Sequence, residues 1–188
     1  MGGGDALDSR HPSGLSRRGF GRLVGAAGLA LFAPRGMRAL TAPREISFVH
    51  THTNEELSIV YRDDLGYRAD ALARLDVLLR DFRTEEVHPI DPKLFDLLFA
   101  VHGLAGSREP YRIISGYRSP ATNEMLRSHG DGVAAGSLHL VGQAIDVRLA
   151  DVKTSHLRDA GLANAGGGVG YYPASDFVHL DTGRFRRW

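Results

Sequence analysis

The most constraining stretch of this sequence is residues 143–149 (QAIDVRL), an alternating segment with a carboxylate at its centre. A two-residue period sends Ala144, Asp146 and Arg148 to one side of a strand and Ile145, Val147 and Leu149 to the other. A charged acid inside a hydrophobic strand is costly unless something binds it. The residues just before the strand suggest what that something is. Residues 137–146 (SLHLVGQAID) follow the pattern S-x-H-x-x-G-x-A-x-D. His139 then sits in a loop ahead of the strand, and Gly142 lets the chain turn between the imidazole and the carboxylate.

A second alternating island, residues 177–181 (FVHLD), supplies another imidazole. Two histidines and one carboxylate suit a tetrahedral zinc ion with its fourth position left to water. Bound zinc lowers the pKa of that water and polarises a carbonyl, the two requirements of amide hydrolysis. The chain has no cysteine, so disulfides and thiolate metal sites are excluded and any metal must rest on His, Asp or Glu.

At 188 residues the chain is long enough for one domain with a real core. Residues 1–42 read separately as a twin-arginine signal peptide. Ser16-Arg17-Arg18-Gly19-Phe20-Gly21-Arg22 resembles the export motif S-R-R-x-F-x-K/R, and residues 23–32 (LVGAAGLALF) form a hydrophobic stretch too short to span a bilayer. The expected partner there is the twin-arginine export machinery, and the expected location is the periplasm or cell envelope. No other segment is suited to crossing a membrane. Without the leader, the chain carries 17 basic and 20 acidic side chains and no long basic run, which argues against nucleic acid as a partner.

Residues 43–188 read as one α+β domain, a mainly antiparallel sheet flanked by helices. Strands are expected at 46–52 and 57–62, joined as a hairpin, and at 111–115, 143–149 and 177–181. Leu65, Ala69, Leu72, Leu75, Leu79 and Phe82 recur at helical spacing. A second helix should begin at Asp91-Pro92, with Leu94, Leu97, Leu98, Val101 and Leu104 as its buried stripe. A third should start near Ser119-Pro120 and a fourth cover 152–164. Residues 166–170 (GGGVG) read as a glycine-rich loop. It lacks the GK[ST] ending and the G-x-G-x-x-G spacing of nucleotide sites.

Three islands, SGYRSPATNEMLR (115–127), GVAAGSLHLVGQAIDV (132–147) and GGVGYYPASDFVHLDTG (167–183), together resemble the LAS-type zinc peptidases. That family includes D-alanyl-D-alanine carboxypeptidases and phage endolysins, and the murein endopeptidase K group within it is the nearest in pattern. The resemblance implies a Zn2+ cofactor held by His139, Asp146 and His179. It implies that Arg118 binds substrate or polarises the scissile carbonyl and that Ser137 lines the substrate site. The implied substrate is a peptidoglycan stem peptide, cut at a D-alanyl or diaminopimelyl cross-link. A D,D-carboxypeptidase trimming terminal D-alanine, and a zinc-containing domain that binds cell wall without cutting it, are the alternatives.

The general base stays open. Family members place a Glu three residues before the last histidine ligand, where this chain has Asp176, or a His two residues before it, where it has Phe177. Asp176 and Asp181 are both candidates. Strand alternation puts Asp181 on the same face as His179, as base or as hydrogen-bond partner of that imidazole. His50 and His52 also have metal-compatible spacing, but outside the three islands they read as a pair on an exposed sheet face.

Overall fold

The computed structural model describes residues 42–129 and 134–188. The twin-arginine motif and its hydrophobic stretch lie outside the described residues. Among the described residues no helix is long and apolar enough to cross a membrane.

Among the described residues eight strands form one sheet and four helices flank it, the α+β arrangement expected. At one edge, β1 (Arg44–His50) and β2 (Glu56–Asp63) make the anticipated hairpin, with Phe48 opposite Leu57 and Asn54 turning at φ 59°. The chain then departs from its helical spacing. Residues 66–67 add a short strand, β3 (Gly66–Tyr67), to β2 before α1 (Ala69–Leu78) begins. Leu65 is therefore 85% exposed, and Phe82 lies beyond the helix against His50 and His52. Gly66 sits at φ 119°, outside the helical region, and pairs with Asp63 instead.

The helix α2 (Pro92–Ala105) starts where Asp91 caps it by accepting the Lys93 amide and stops at Gly106 in the left-handed region. Leu94, Leu97, Leu98 and Val101 are buried as expected, but Leu104 is exposed while Phe95 and Ala105 are buried. The remaining elements are β4 (Tyr111–Ser115), α3 (Pro120–His129), β5 (Ala144–Arg148), α4 (Thr154–Asn164), β6 (Gly168–Tyr172), β7 (Phe177–Asp181) and β8 (Arg186–Arg187).

The sheet order is β3-β2-β1-β4-β5-β7-β6-β8, antiparallel except for the β1/β4 and β6/β8 pairs. On β5, Ile145 and Val147 join the apolar core with Leu94, Leu98, Leu157 and Leu180. The alternate face of β5 carries Ala144 and Asp146, both also buried, and ends at the half-buried Arg148.

The glycine-rich stretch is a loop only at Gly166 and Gly167. Gly168 and Gly170 lie in β6, with Gly170 opposite His179. Their lack of side chains serves packing. A Cβ on Gly168 would come within 2.4 Å of Asp181 Oδ2, and one on Gly170 within 2.7 Å of the Trp188 ring.

Candidate metal centre

His139, Asp146 and His179 are brought together by three separate devices. Ser137 opens a 3-10 turn, Leu138–Val141, by accepting the His139 amide, and Gly142 closes it in the left-handed region at φ 66°. That turn delivers His139. Asp146 comes from the middle of β5 and His179 from the middle of β7, directly opposite each other in the antiparallel register. All three side chains are buried.

Their inner atoms form a small triangle. His139 Nε2 lies 3.2 Å from His179 Nδ1, His179 Nδ1 lies 2.9 Å from Asp146 Oδ1, and His139 Nε2 lies 3.3 Å from Asp146 Oδ1. Ligands at zinc bond lengths in a tetrahedron stand about 3.3 Å apart, so the triangle is zinc-sized.

The outer nitrogens decide what the inner ones present. His139 Nδ1 lies 2.7 Å from the Gly116 carbonyl, an oxygen that can only accept. The proton therefore sits on Nδ1 and the Nε2 lone pair points into the triangle. His179 Nε2 donates in the same way to Asp181 Oδ2 at 3.0 Å, turning its Nδ1 lone pair inward. Two imidazole lone pairs and a carboxylate oxygen thus converge, an arrangement that calls for a cation. The residues fit zinc.

The electrostatics agree with such a site. Burial lowers the His139 pKa and keeps that imidazole neutral. Burial alone would raise the Asp146 carboxyl, but the two imidazoles outweigh it and hold the group well below the usual carboxylate range. His179 is opposed in the same way: burial lowers it, while its bonds to Asp146 and Asp181 prevail and raise it. A metal ion competes with that proton for Nδ1, so metal binding releases it.

A cavity of about 370 Å³ opens over the triangle. Arg118 and Ser137 stand on its lining, as expected from the sequence. The Arg118 guanidinium bonds Asp146 Oδ2 and, through Nε, Ser115 Oγ at 2.9 Å.

The two candidate bases fare differently. Asp181 is fully buried behind His179, and both its oxygens are engaged. Oδ1 accepts from the Gly168 and Gly183 amides and from Arg186, and Oδ2 accepts from His179 and Arg186. Asp176 does not line the cavity. It caps a short 3-10 turn at φ 53° and faces outward, 3.2 Å from both Arg148 and Thr154 Oγ1. Among the described residues Asp146 is the only carboxylate on the cavity wall.

The sequence reading missed the aromatic wall. Tyr172, Phe177 and Trp188 line the cavity, with Trp188 Nε1 donating to the Tyr172 hydroxyl at 2.8 Å and its ring 5.2 Å from that of His179. The available signal was the chain's single tryptophan, at the end of an arginine-rich segment after the last island.

Residues 38–188 match the family model described as peptidoglycan L,D-endopeptidase MepK. The chain belongs to that family, within the M15 peptidases. Peptidoglycan L,D-endopeptidase MepK of Escherichia coli (strain K12) is 42% identical over 165 residues, 87% of this chain and 91% of that protein. A probable peptidoglycan L,D-endopeptidase MepK of Haemophilus influenzae is 41% identical over 147 residues, 78% of this chain and 79% of its own length. The crystal structure of Serratia marcescens L-Ala D-Glu endopeptidase ChiX is a distant likeness, with TM-score 0.38 and 19% identity over 59% of this chain and 86% of that one. The metal triangle and both sides of its cavity lie within the stretch matched to the MepK family.

Proposed function

We propose that this chain is a zinc-dependent peptidoglycan endopeptidase that cuts L,D peptide cross-links, exported to the cell envelope by the twin-arginine route. The observation that carries the reading is the convergence of two imidazole lone pairs with Asp146 Oδ1, each imidazole held from behind by its own acceptor. The names of the MepK relatives supply the substrate class.

His139, Asp146 and His179 would hold the zinc ion, which would activate a water and polarise the scissile carbonyl. Arg118 binds a carbonyl or carboxylate of the stem peptide; its guanidinium stays charged and presents a planar fork of donors. Ser137 borders the substrate on the same wall. Asp181 serves the site through His179, fixing its tautomer and orientation. Asp176 has a surface role, tying the entry of β7 to α4.

The test is mass spectrometry of muropeptides digested by the protein lacking its leader. Cross-linked dimers are expected to become monomers, with activity lost to a chelator and restored by zinc. Release of terminal D-alanine with dimers intact would replace this reading with a D,D-carboxypeptidase. Binding to cell wall without any cleavage would leave only a recognition domain.

A further inference from the structure

Three successive amides of the turn bearing Arg118 are held by acceptors from two other parts of the molecule. The Tyr117 amide donates to the Leu79 carbonyl at 2.8 Å, the Arg118 amide to the His139 carbonyl at 3.1 Å, and the Ser119 amide to Asp81 Oδ2 at 2.8 Å. The middle bond ties Arg118 to a metal ligand. The outer two come from the segment that follows α1.

Asp81 is built for that task. It is 1% exposed, and so is Ser119. Its other oxygen, Oδ1, accepts the Arg83 amide at 2.9 Å. Its backbone is closed into a tight loop, with the Asp81 amide donating to the Glu86 carbonyl and the Glu85 amide donating to the Asp81 carbonyl. Glu86 in turn accepts the Tyr117 hydroxyl at 2.8 Å, so the same loop grips the turn twice. Ser119 Oγ accepts the Thr122 amide, which places the Asp81 carboxylate at the first turn of α3, where a helix favours negative charge. Burial pushes the Asp81 carboxyl up, but hydrogen bonds from Thr122 and Ser119 prevail and bring it to about 2, so it stays ionised.

We propose that Asp81 is the positioning residue for Arg118, an anionic clamp that fixes the backbone from which the guanidinium reaches Ser115 and Asp146 at the cavity. The proposal rests on the substrate role given to Arg118 above. Arginine has a long side chain with several rotatable bonds, and a displacement of about 1 Å at a reacting centre costs about 10²-fold in rate. Asp81 lines no part of the metal cavity among the described residues, so its effect must pass through the turn.

A double-mutant cycle separates this from a merely structural acid. Asp81→Ala, Arg118→Ala and the double variant are compared for turnover of cross-linked dimeric muropeptides and for bound zinc. Asp81→Ala is expected to lower kcat by about 10- to 100-fold with zinc content unchanged, yet to add less than about 2-fold in the Arg118→Ala background. An equal loss in both backgrounds, or loss of zinc in step with activity, would overturn the proposal. Should Asp81→Ala not fold, Asp81→Asn keeps an acceptor oxygen, removes the charge and enters the same cycle with a smaller expected loss. One readout needs no turnover. The Arg118 Nε–H, which donates to Ser115 Oγ, should shift and exchange faster with solvent in NMR spectra of the Asp81 variant. A wild-type protein that cleaves no muropeptide would remove the functional reading, whereas an unmoved Arg118 Nε–H signal would remove the clamp.

Discussion

Among the described residues two places set paired histidines close together, and only one of them has the geometry of a metal site. At the triangle, His139 and His179 each give their outer nitrogen to an oxygen, Gly116 O and Asp181 Oδ2, and turn the other nitrogen inward. At the β1–β2 turn the arrangement is reversed. His50 Nδ1 is taken up by the amides of His52 and Thr53, at 3.2 and 3.4 Å, and the buried Nε2 has no partner among the described residues. His52 has left the strand and stacks on Phe82, ring centroids 4.0 Å apart. The pair does not lie on an exposed sheet face as its spacing suggested, since His50 is 1% exposed. A metal site therefore depends less on how histidines are spaced than on what holds their other nitrogens.

The largest expected effect breaks the contrast at its strong end. His139→Ala should lose bound zinc and activity together, since two remaining ligands do not retain a tetrahedral ion. His50→Asn, which keeps an acceptor where Nδ1 stood, should bind one zinc per chain as the wild type does. Metal analysis of both variants beside turnover checks this. Full activity in metal-free His139→Ala protein would remove the metal reading altogether.

A smaller effect tests the acceptor behind the ligand. Asp181→Asn leaves His179 in place but weakens the group that fixes its tautomer, and zinc affinity should fall by about 10- to 100-fold. Asp176→Asn, on the outer surface, should stay near wild type in both zinc affinity and rate. Competition with a chelator gives the affinities. A variant of Asp181 that keeps its zinc while losing about 10²- to 10⁴-fold in rate would return that residue to the role of base.

The parts of this architecture that were legible in the sequence rest on local rules. The alternation of residues 144–148, the Asp91-Pro92 helix start and the turn at Gly142 each follow from neighbours in the chain. The parts that were hidden depend on distant partners. Gly168 and Gly170 look like a loop until Asp181 and Trp188 are packed against them. Asp176 looks like a base by its place before His179, but a left-handed residue at the end of the 3-10 turn directs it to Arg148 and Thr154 instead. Asp81 carries no signal in the sequence, because its meaning is an amide 38 positions away.

The smallest effect sharpens the comparison through pH. Burial holds the His50 pKa below its ordinary value of 6.5, with His52 and Arg80 adding to the lowering and Glu55 and Glu85 opposing it. Above 6.5 the imidazole is neutral in both folded and unfolded chains and contributes nothing to the pH dependence. As the pH falls below that value the unfolded chain takes up a proton that the folded one resists, so stability declines until the depressed folded pKa is reached. The slope from one such group is at most about 1.4 kcal/mol per pH unit. His50→Asn removes this titration while leaving an acceptor for the two amides. Urea unfolding of the zinc-loaded wild type and variant, from pH 7.5 to 5, should give curves that draw together as the pH falls, the wild type losing stability faster. The histidines of the triangle are common to both proteins and cancel in the difference. Parallel curves would mean that His50 takes up its proton as readily in the folded chain as in the unfolded one, on Nδ1, where the His52 and Thr53 amides would have to give way.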